Sequence, residues 1–284
     1  MQREYQGDEW AVYEGDTVEM LAGMPEGLID LAIFSPPFSD LFVYSDSERD
    51  MGNCGSHDEF MAHYDHFARN LYRAMMPGRM ICVHCTDLPA RKGKDGFIGL
   101  HDFSGDLIRA HRDAGFVYHA RCTIWKDPVI EMHRTKALGL LYKQLKRDSA
   151  ISRVGMPDYM LFFRKDEPNP EPITHAPEDL PLEQWRELAS PVWMTVDQTN
   201  VLNGQQAKGE QDEKHICPLQ LDVIERCLTL YSNPGDLVLD PFNGIGSTGY
   251  QAIKMDRRYL GVELKPEYAR QAAKFLKKAE DSKR

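Results

Sequence analysis

The segment Asp240-Pro-Phe-Asn-Gly-Ile-Gly-Ser-Thr-Gly249 narrows the possible folds more than any other part of the chain. It sits between an apolar run read as a strand, Leu237–Asp240, and a helical pattern over Ser247–Met255. Gly244, Gly246 and Gly249 are spaced as GxGxxG, and the next strand, Tyr259–Glu263, ends on a carboxylate. Glycines at such a junction let the backbone turn sharply and approach a ligand, while an acid at the next strand end takes ribose hydroxyls. The string alone also occurs in plain structural turns; the flanking strand and helix and Glu263 point instead to a nucleotide-like cofactor. A pyrophosphate wants bare N–H groups with no negative charge nearby, yet Asp240 immediately precedes the loop. A carboxylate there repels phosphate and attracts an ammonium or sulfonium group. The loop therefore favours S-adenosylmethionine over NAD, with Phe242 as an apolar wall.

Strand–helix alternation surrounds this loop. Trp10–Glu14, Ile29–Ser35, Met80–Cys85, Val117–Trp125 and Tyr159–Arg164 read as strands. Val18–Ala22, Glu59–Met75, Phe103–Ala114, Ala137–Lys146, Pro218–Tyr231 and Pro266–Ala279 read as helices. The unbroken apolar run in Ile29–Phe34 is typical of a strand covered on both faces. With 284 residues the chain suffices for one large domain carrying an insertion. Alternation at both ends predicts an α/β, doubly wound, Rossmann-like domain. From Asp166 to Lys214 the composition shifts, with five prolines between Pro168 and Pro181 and an excess of acids. This stretch reads as a surface excursion, tied to the core by Trp185 and Trp193.

Ser35-Pro36-Pro37-Phe38 closes a buried strand and so lies at the sheet's carboxyl edge, where ligands of such folds bind. One reading is punctuation: a proline-terminated strand followed by a core phenylalanine. The other is chemical. A nucleobase amino nitrogen is a poor nucleophile because its lone pair is delocalised into the ring. Two rigid acceptors that take its N–H groups draw the nitrogen toward tetrahedral geometry, which is preorganisation toward a developing cation. The Ser35 hydroxyl and the Pro36 carbonyl can supply those acceptors, held by paired prolines, and Phe38 can stack on a base withdrawn from its duplex.

A net charge of −10 argues against a nucleic-acid partner when taken alone. The charge is segregated, however: residues 121–165 sum to +6 and residues 1–60 to −12. The basic stretch offers Lys126, Lys143, Lys146, Arg147 and Arg153 to phosphates, against the plainer reading of a solvated helix face. Phe42, Tyr44 and Arg49 lie just past the tetrad, where they can hold a flipped base, fill its vacancy or form a lid.

Taken together, these motifs make the chain resemble the DNA amino-methyltransferases that modify cytosine N4 or adenine N6, in the permuted order with the tetrad ahead of the glycine loop. The chain also resembles a group of these methylases that is carried by phages and prophages. The resemblance runs through Gly15-Asp16, Ser35–Phe38, Met76–Arg79, Ile124–Lys126, Lys214–Gln220, Asp240–Gly249 and Gly261–Glu263. It implies a Rossmann-like methyltransferase fold, circularly permuted, with a small inserted recognition segment. By the same resemblance Ser35, Pro36, Pro37 and Phe38 are catalytic, and Asp16, His215, Pro218, Asp240, Phe242, Gly244, Gly246 and Glu263 bind S-adenosylmethionine. DNA is the implied partner, contacted by Arg49 and the basic residues named above. Residues 1–165 form the catalytic half with a DNA-contact segment at 126–157, residues 166–214 the recognition segment, and residues 215–284 the cofactor half. Serine at the head of the tetrad resembles the cytosine-N4 enzymes more than the adenine-N6 ones, whereas His215-Ile-Cys-Pro218 departs from the family's usual His-Pro segment. Pairing into a homodimer is also implied. In such a permuted chain the last helix leads into Trp10–Glu14, so the two termini should lie together on the surface.

Other features carry less. In Cys82-Val-His-Cys85 the two thiols point to opposite faces of a strand, and no second CxxC exists, so they read as core rather than as zinc ligands. His57, His63 and His66 read as surface helix residues, and no metal is expected. Neither a secretory leader nor a membrane span is discernible, which suggests a cytoplasmic protein. A nicotinamide oxidoreductase would use the same glycines but leaves Ser35–Phe38 and Asp240 unexplained. A non-catalytic nucleic-acid-binding module, or an enzyme acting on RNA or protein, are the further alternatives.

Overall fold

The computed structural model describes residues 3–39, 51–90, 92–135, 140–202 and 218–283. The elements are β1 (Arg3–Gln6), β2 (Trp10–Glu14), α1 (Thr17–Gly23), β3 (Ile29–Phe34), α2 (His57–Ala74), β4 (Met75–Cys85), β5 (Leu88–Ala90), α3 (Lys92–Asp95), β6 (Gly99–His101), α4 (Phe103–Asp113) and β7 (Phe116–Ile124). They continue with α5 (Pro128–Thr135), β8 (Asp158–Lys165), α6 (Leu182–Leu188), β9 (Val192–Trp193), α7 (Leu221–Tyr231), β10 (Leu237–Asp240), α8 (Ser247–Lys254), β11 (Arg258–Glu263) and α9 (Pro266–Asp281). One sheet runs β1-β2-β11-β10-β3-β4-β8-β7-β9, while β5 and β6 form a separate hairpin. The strands from β2 to β4 in that order are parallel, and β8 lies antiparallel between β4 and β7. This is the doubly wound α/β architecture that the alternation predicts.

Every residue of β3 is buried, because both faces of the sheet are covered. Leu31 and Ile33 pack with α7, α8 and α9, whereas Ala32 and Phe34 pack with α1, α2 and α4. That period of two divides one apolar run between two cores. The chain leaves β10 toward one face through α8 and leaves β3 toward the other, so a crevice opens where these adjacent strands end. Leu239 lies opposite Ala32 in the parallel pairing. The segment after Asp240 and the segment after Phe34 therefore emerge side by side. The Thr248 hydroxyl, at the start of α8, donates to the Ile33 carbonyl at 3.4 Å, a contact between residues 215 apart in sequence.

The termini meet as a permuted chain requires. The Asp8 amide donates to Glu280 Oε1 at 2.7 Å, and α9 packs against β2. At the amino-terminal edge of the strands, Arg79 is fully buried against Asp236 (2.8 Å) and Asp30 (3.5 Å), and it reaches Glu171 at 3.8 Å. These three carboxylates are close enough together to hold a cation, but the Arg79 guanidinium contacts each of them.

Several sequence expectations are corrected. The helix expected over Ala137–Lys146 is a short 3-10 turn at Tyr142–Lys146 within the described residues, and α5 begins earlier, at Pro128. Asp127 Oδ1 accepts from the Val129 amide at 2.7 Å, an N-cap followed by proline at the first helical position. Strand β4 starts at Met75 rather than Met80, passing through Pro77-Gly78 at a register irregularity against β3. Helix α7 starts at Leu221, not Pro218. Trp193 is 1% exposed and joins the sheet edge through β9, but Trp185 is 48% exposed and is not a buried anchor.

Candidate active site

The glycine loop is held from beneath. The Asn243 amide donates to the Val262 carbonyl at 2.9 Å, and the Tyr259 hydroxyl donates to Asn243 Oδ1 at 2.7 Å. Gly246 caps α8 at φ +87°, and a Cβ there would come within 3.0 Å of Leu276 Cδ1. A Cβ on Gly249 would lie 2.4 Å from the Tyr259 ring. These two glycines serve packing. Gly244 differs: at φ +52° its missing Cβ faces open space, the nearest atom lying 4.0 Å away. A ligand can approach the backbone there.

Around this opening stand three carboxylates. Glu263 Oε2 accepts from the Gly244 amide at 2.7 Å and Oε1 from the Lys265 amide at 2.8 Å, so one side chain joins the loop to the start of α9. Asp16 caps α1, its Oδ1 accepting from the Glu19 amide at 2.9 Å. The preceding Gly15 amide donates to the Glu263 carbonyl at 2.9 Å, which brings the ends of β2 and β11 together. Asp240 is buried and accepts from the Phe242 amide at 3.0 Å. Burial pushes its carboxyl up to about 7, against the opposing influence of the Thr248 side chain and the Phe242 amide. Phe242 is half-buried, 4.9 Å from the Phe67 ring and 5.8 Å from Phe34. Pro218 lies just ahead of α7, half-buried; His215 falls outside the described residues.

The Ser35–Phe38 tetrad occupies the neighbouring edge. Pro36 is buried, while Ser35, Pro37 and Phe38 are half-buried. Phe38 meets Phe103 edge-on at 6.1 Å. Among the described residues no backbone donor takes the Pro36 carbonyl. The next residue, Ser39, is at φ +52°, an uncommon conformation for a side chain with a Cβ. Its hydroxyl meets His57 Nδ1 at 3.1 Å, and His57 Nε2 meets Asp106 at 2.9 Å. His57 is thus not a plain surface residue but fixes the exit of the tetrad.

Ser35 Oγ lies 3.1 Å from His84 Nδ1. His84 Nε2 is 3.2 Å from Asp158 Oδ2, an ion-pair contact rather than an aligned hydrogen bond. Lys126 Nζ sits 2.5 Å from Asp158 Oδ1. Burial pushes the Asp158 carboxyl up, but its contacts with the His84 ring and the Lys126 ammonium more than reverse this and hold it below the usual range. Sequence reasoning does not find His84 or Asp158, because His84 is one residue of an apolar strand.

The expected phosphate contacts divide. Lys143, Lys146 and Arg147 are exposed on the 3-10 segment beside exposed Tyr142 and Leu145. Lys126 is corrected: its ammonium turns inward to buried Asp158 and is not free for a phosphate. Arg153 is half-buried, 3.5 Å from Glu131. Arg49, Phe42 and Tyr44 lie outside the described residues. Cys82 and Cys85 sit in opposite cores.

A DNA methylase family profile of the N6/N4 type matches residues 29–274. The chain is 44% identical over 66 residues to the type II methyltransferase M1.MboII of Moraxella bovis, a match covering 23% of this chain and 25% of that one. Matches to the next curated relatives span 18% and 60% of their lengths. A structure from Thermus thermophilus, described as a candidate DNA modification methylase, is 25% identical with a TM-score of 0.68, covering 94% of each chain. The cytosine-N4-specific PvuII DNA methyltransferase shares the fold at 21% identity and TM-score 0.68, over 98% of this chain and 92% of its own.

Proposed function

Because the chain belongs to the N6/N4 DNA methylase family, we propose that it transfers a methyl group from S-adenosylmethionine to the exocyclic amino group of a flipped DNA base, cytosine N4 in preference to adenine N6. The observation that carries this reading is the meeting of two edges: Ser35-Pro36 and the Asp240–Gly246 loop end adjacent parallel strands, tied by Thr248 to Ile33. When bound, the cofactor supplies an electrophilic methyl group on a sulfonium. Glu263 and Asp16 take the ribose and adenine side, and Gly244 allows close approach. Asp240, Phe242 and Pro218 attend the methionine side, with His215 assigned there by the family resemblance. The open space at Gly244 and a buried carboxyl raised to about 7 suit a cationic, phosphate-free ligand.

Ser35 Oγ and the Pro36 carbonyl accept hydrogen bonds from the two amino N–H groups and localise the nitrogen lone pair, while Phe38 stacks on the base. Such acceptors act on any exocyclic amino group; the serine head of the tetrad favours cytosine. Residues 1–165 form the catalytic half, with Lys143, Lys146 and Arg147 as phosphate contacts; residues 166–214 read the target, and residues 215–284 hold the cofactor. The reading places the protein in the cytoplasm with DNA. Among the described residues no helix is long and apolar enough to cross a membrane. Nucleoside mass spectrometry after incubation with unmethylated DNA and S-adenosylmethionine tests this. N4-methylcytosine is expected. N6-methyladenine alone would overturn the base preference, and an absence of any methylated nucleoside would overturn the reading.

A further inference from the structure

We propose that His84 and Asp158 form a relay that fixes the Ser35 hydroxyl as an acceptor toward the base and takes up the proton the amino nitrogen loses. The inference rests on the Ser35 role above and deepens it. Sheet register builds the arrangement. β3 and β4 run parallel with Phe34 opposite Val83, so the next pair outward is Ser35 and His84. On the other side of β4, His84 lies opposite Met160 in antiparallel β8. Asp158, two residues from Met160, presents the same face. Ile124 lies opposite Asp158, and Lys126 follows two residues later. Four polar side chains from four chain segments thus converge on one face of the sheet at its carboxyl edge.

A serine hydroxyl carries one proton and two lone pairs. Were its proton directed at the base, it would confront an amino donor. His84 removes that choice. The Asp158 carboxylate, 3.2 Å from Nε2, electrostatically favours the tautomer protonated there, which leaves the Nδ1 lone pair to accept from Ser35 at 3.1 Å. The oxygen lone pairs then face the pocket. Lys126 keeps Asp158 anionic from its other oxygen.

The balance of the step follows. The new N–C bond forms from the amino lone pair as the S–C bond breaks, and that bond's electrons stay on sulfur. The cationic nitrogen releases one proton to Ser35 Oγ while the Ser35 proton passes to His84 Nδ1. The products are a neutral methylamino base, a neutral serine and an imidazolium facing the Asp158 carboxylate, which returns its proton to solvent. His84 acts through Ser35 and is a positioning residue.

The test compares His84→Ala, His84→Gln, Asp158→Asn and Ser35→Ala in steady-state methyl transfer, with cofactor Kd as the check of folding. His84→Ala should lose about 100-fold in kcat, with KM for DNA and cofactor Kd within about twofold. Added imidazole should restore at least about tenfold, and His84→Gln, whose amide oxygen can accept the serine proton, should retain more activity than alanine. Should His84→Ala fail to bind cofactor, His84→Gln and Asp158→Asn carry the test, each expected to lose about tenfold or more in kcat. Wild-type kcat in these variants, or a loss seen only in KM and without imidazole response, would overturn the relay. An inactive Ser35→Ala beside fully active His84 variants sinks the relay alone. A fully active Ser35→Ala sinks the base-pocket reading itself.

Discussion

Replacing Ser35 by Ala should lower single-turnover methyl transfer by about 10²–10³-fold, the usual effect of removing one preorganised polar contact to a developing charge. Cofactor Kd should stay within about twofold, because Ser35 follows β3 while the cofactor contacts end or follow β2, β10 and β11, or precede α7. The residual rate reflects the Pro36 carbonyl, a backbone group no substitution removes. The variant also leaves His84 Nδ1 without its partner, an unpaired polar atom that costs about 1–3 kcal/mol when buried. Thermal denaturation measured alongside activity separates this stability loss from the catalytic one.

Asp240→Asn should produce opposite changes in binding and stability. The wild-type carboxyl is buried and titrates at about 7, far above an ordinary aspartate. A folded-state value raised in this way means the native protein keeps a proton that the unfolded chain has lost. Stability therefore falls as pH climbs from about 4 to 7 and is flat above, with a penalty of about 4 kcal/mol at alkaline pH. Asparagine still accepts from the Phe242 amide but never ionises, so the free variant should be more stable than wild type at pH 8 and close to it at pH 4. A cationic ligand reverses the preference by favouring the carboxylate. Wild-type affinity for S-adenosylmethionine should rise with pH up to about 7, relative to the variant measured in parallel, which cancels titration of the cofactor itself. At pH 8 the variant should bind about 10–100-fold more weakly, the worth of a charge-assisted contact. Calorimetric titration across pH checks both slopes, and equal affinity of the two proteins would remove Asp240 from the cofactor site.

What the sequence reveals about this fold is what short-range patterns encode. The apolar run of β3, the glycine spacing after β10 and Glu263 at the end of β11 each occupy fewer than about ten consecutive residues, and a two-faced strand or a strand–loop–helix junction leaves that imprint locally. The Ser35–His84–Asp158 set has no such imprint. Its members come from three strands, and only the register between them brings the side chains to one face; His84 by itself is indistinguishable from a satisfied core histidine. Lys126 misleads for the same reason, since a basic residue in a basic stretch reads as a surface charge until β8 places Asp158 beneath it. Proline signals cut both ways. Pro77-Gly78 reads as a helix stop but lies within β4, tolerated where pairing with β3 is irregular; there Gly78 adopts φ +72° with the Asn169 backbone pressed against it. Asp127-Pro128, by contrast, is a legible helix start that the basic composition around it obscures.

Methyl transfer as proposed depends on two fixed oxygens beside the paired prolines that localise an amino lone pair at the methyl donor. A crystal structure with an unreactive cofactor analogue and a DNA duplex tests it most directly. One base should be turned out of the helix, its amino nitrogen about 2.7–3.2 Å from both Ser35 Oγ and the Pro36 carbonyl, with Phe38 on its face. An amino nitrogen held by other groups, or Ser35 Oγ and the Pro36 carbonyl directed away from the base, would contradict it.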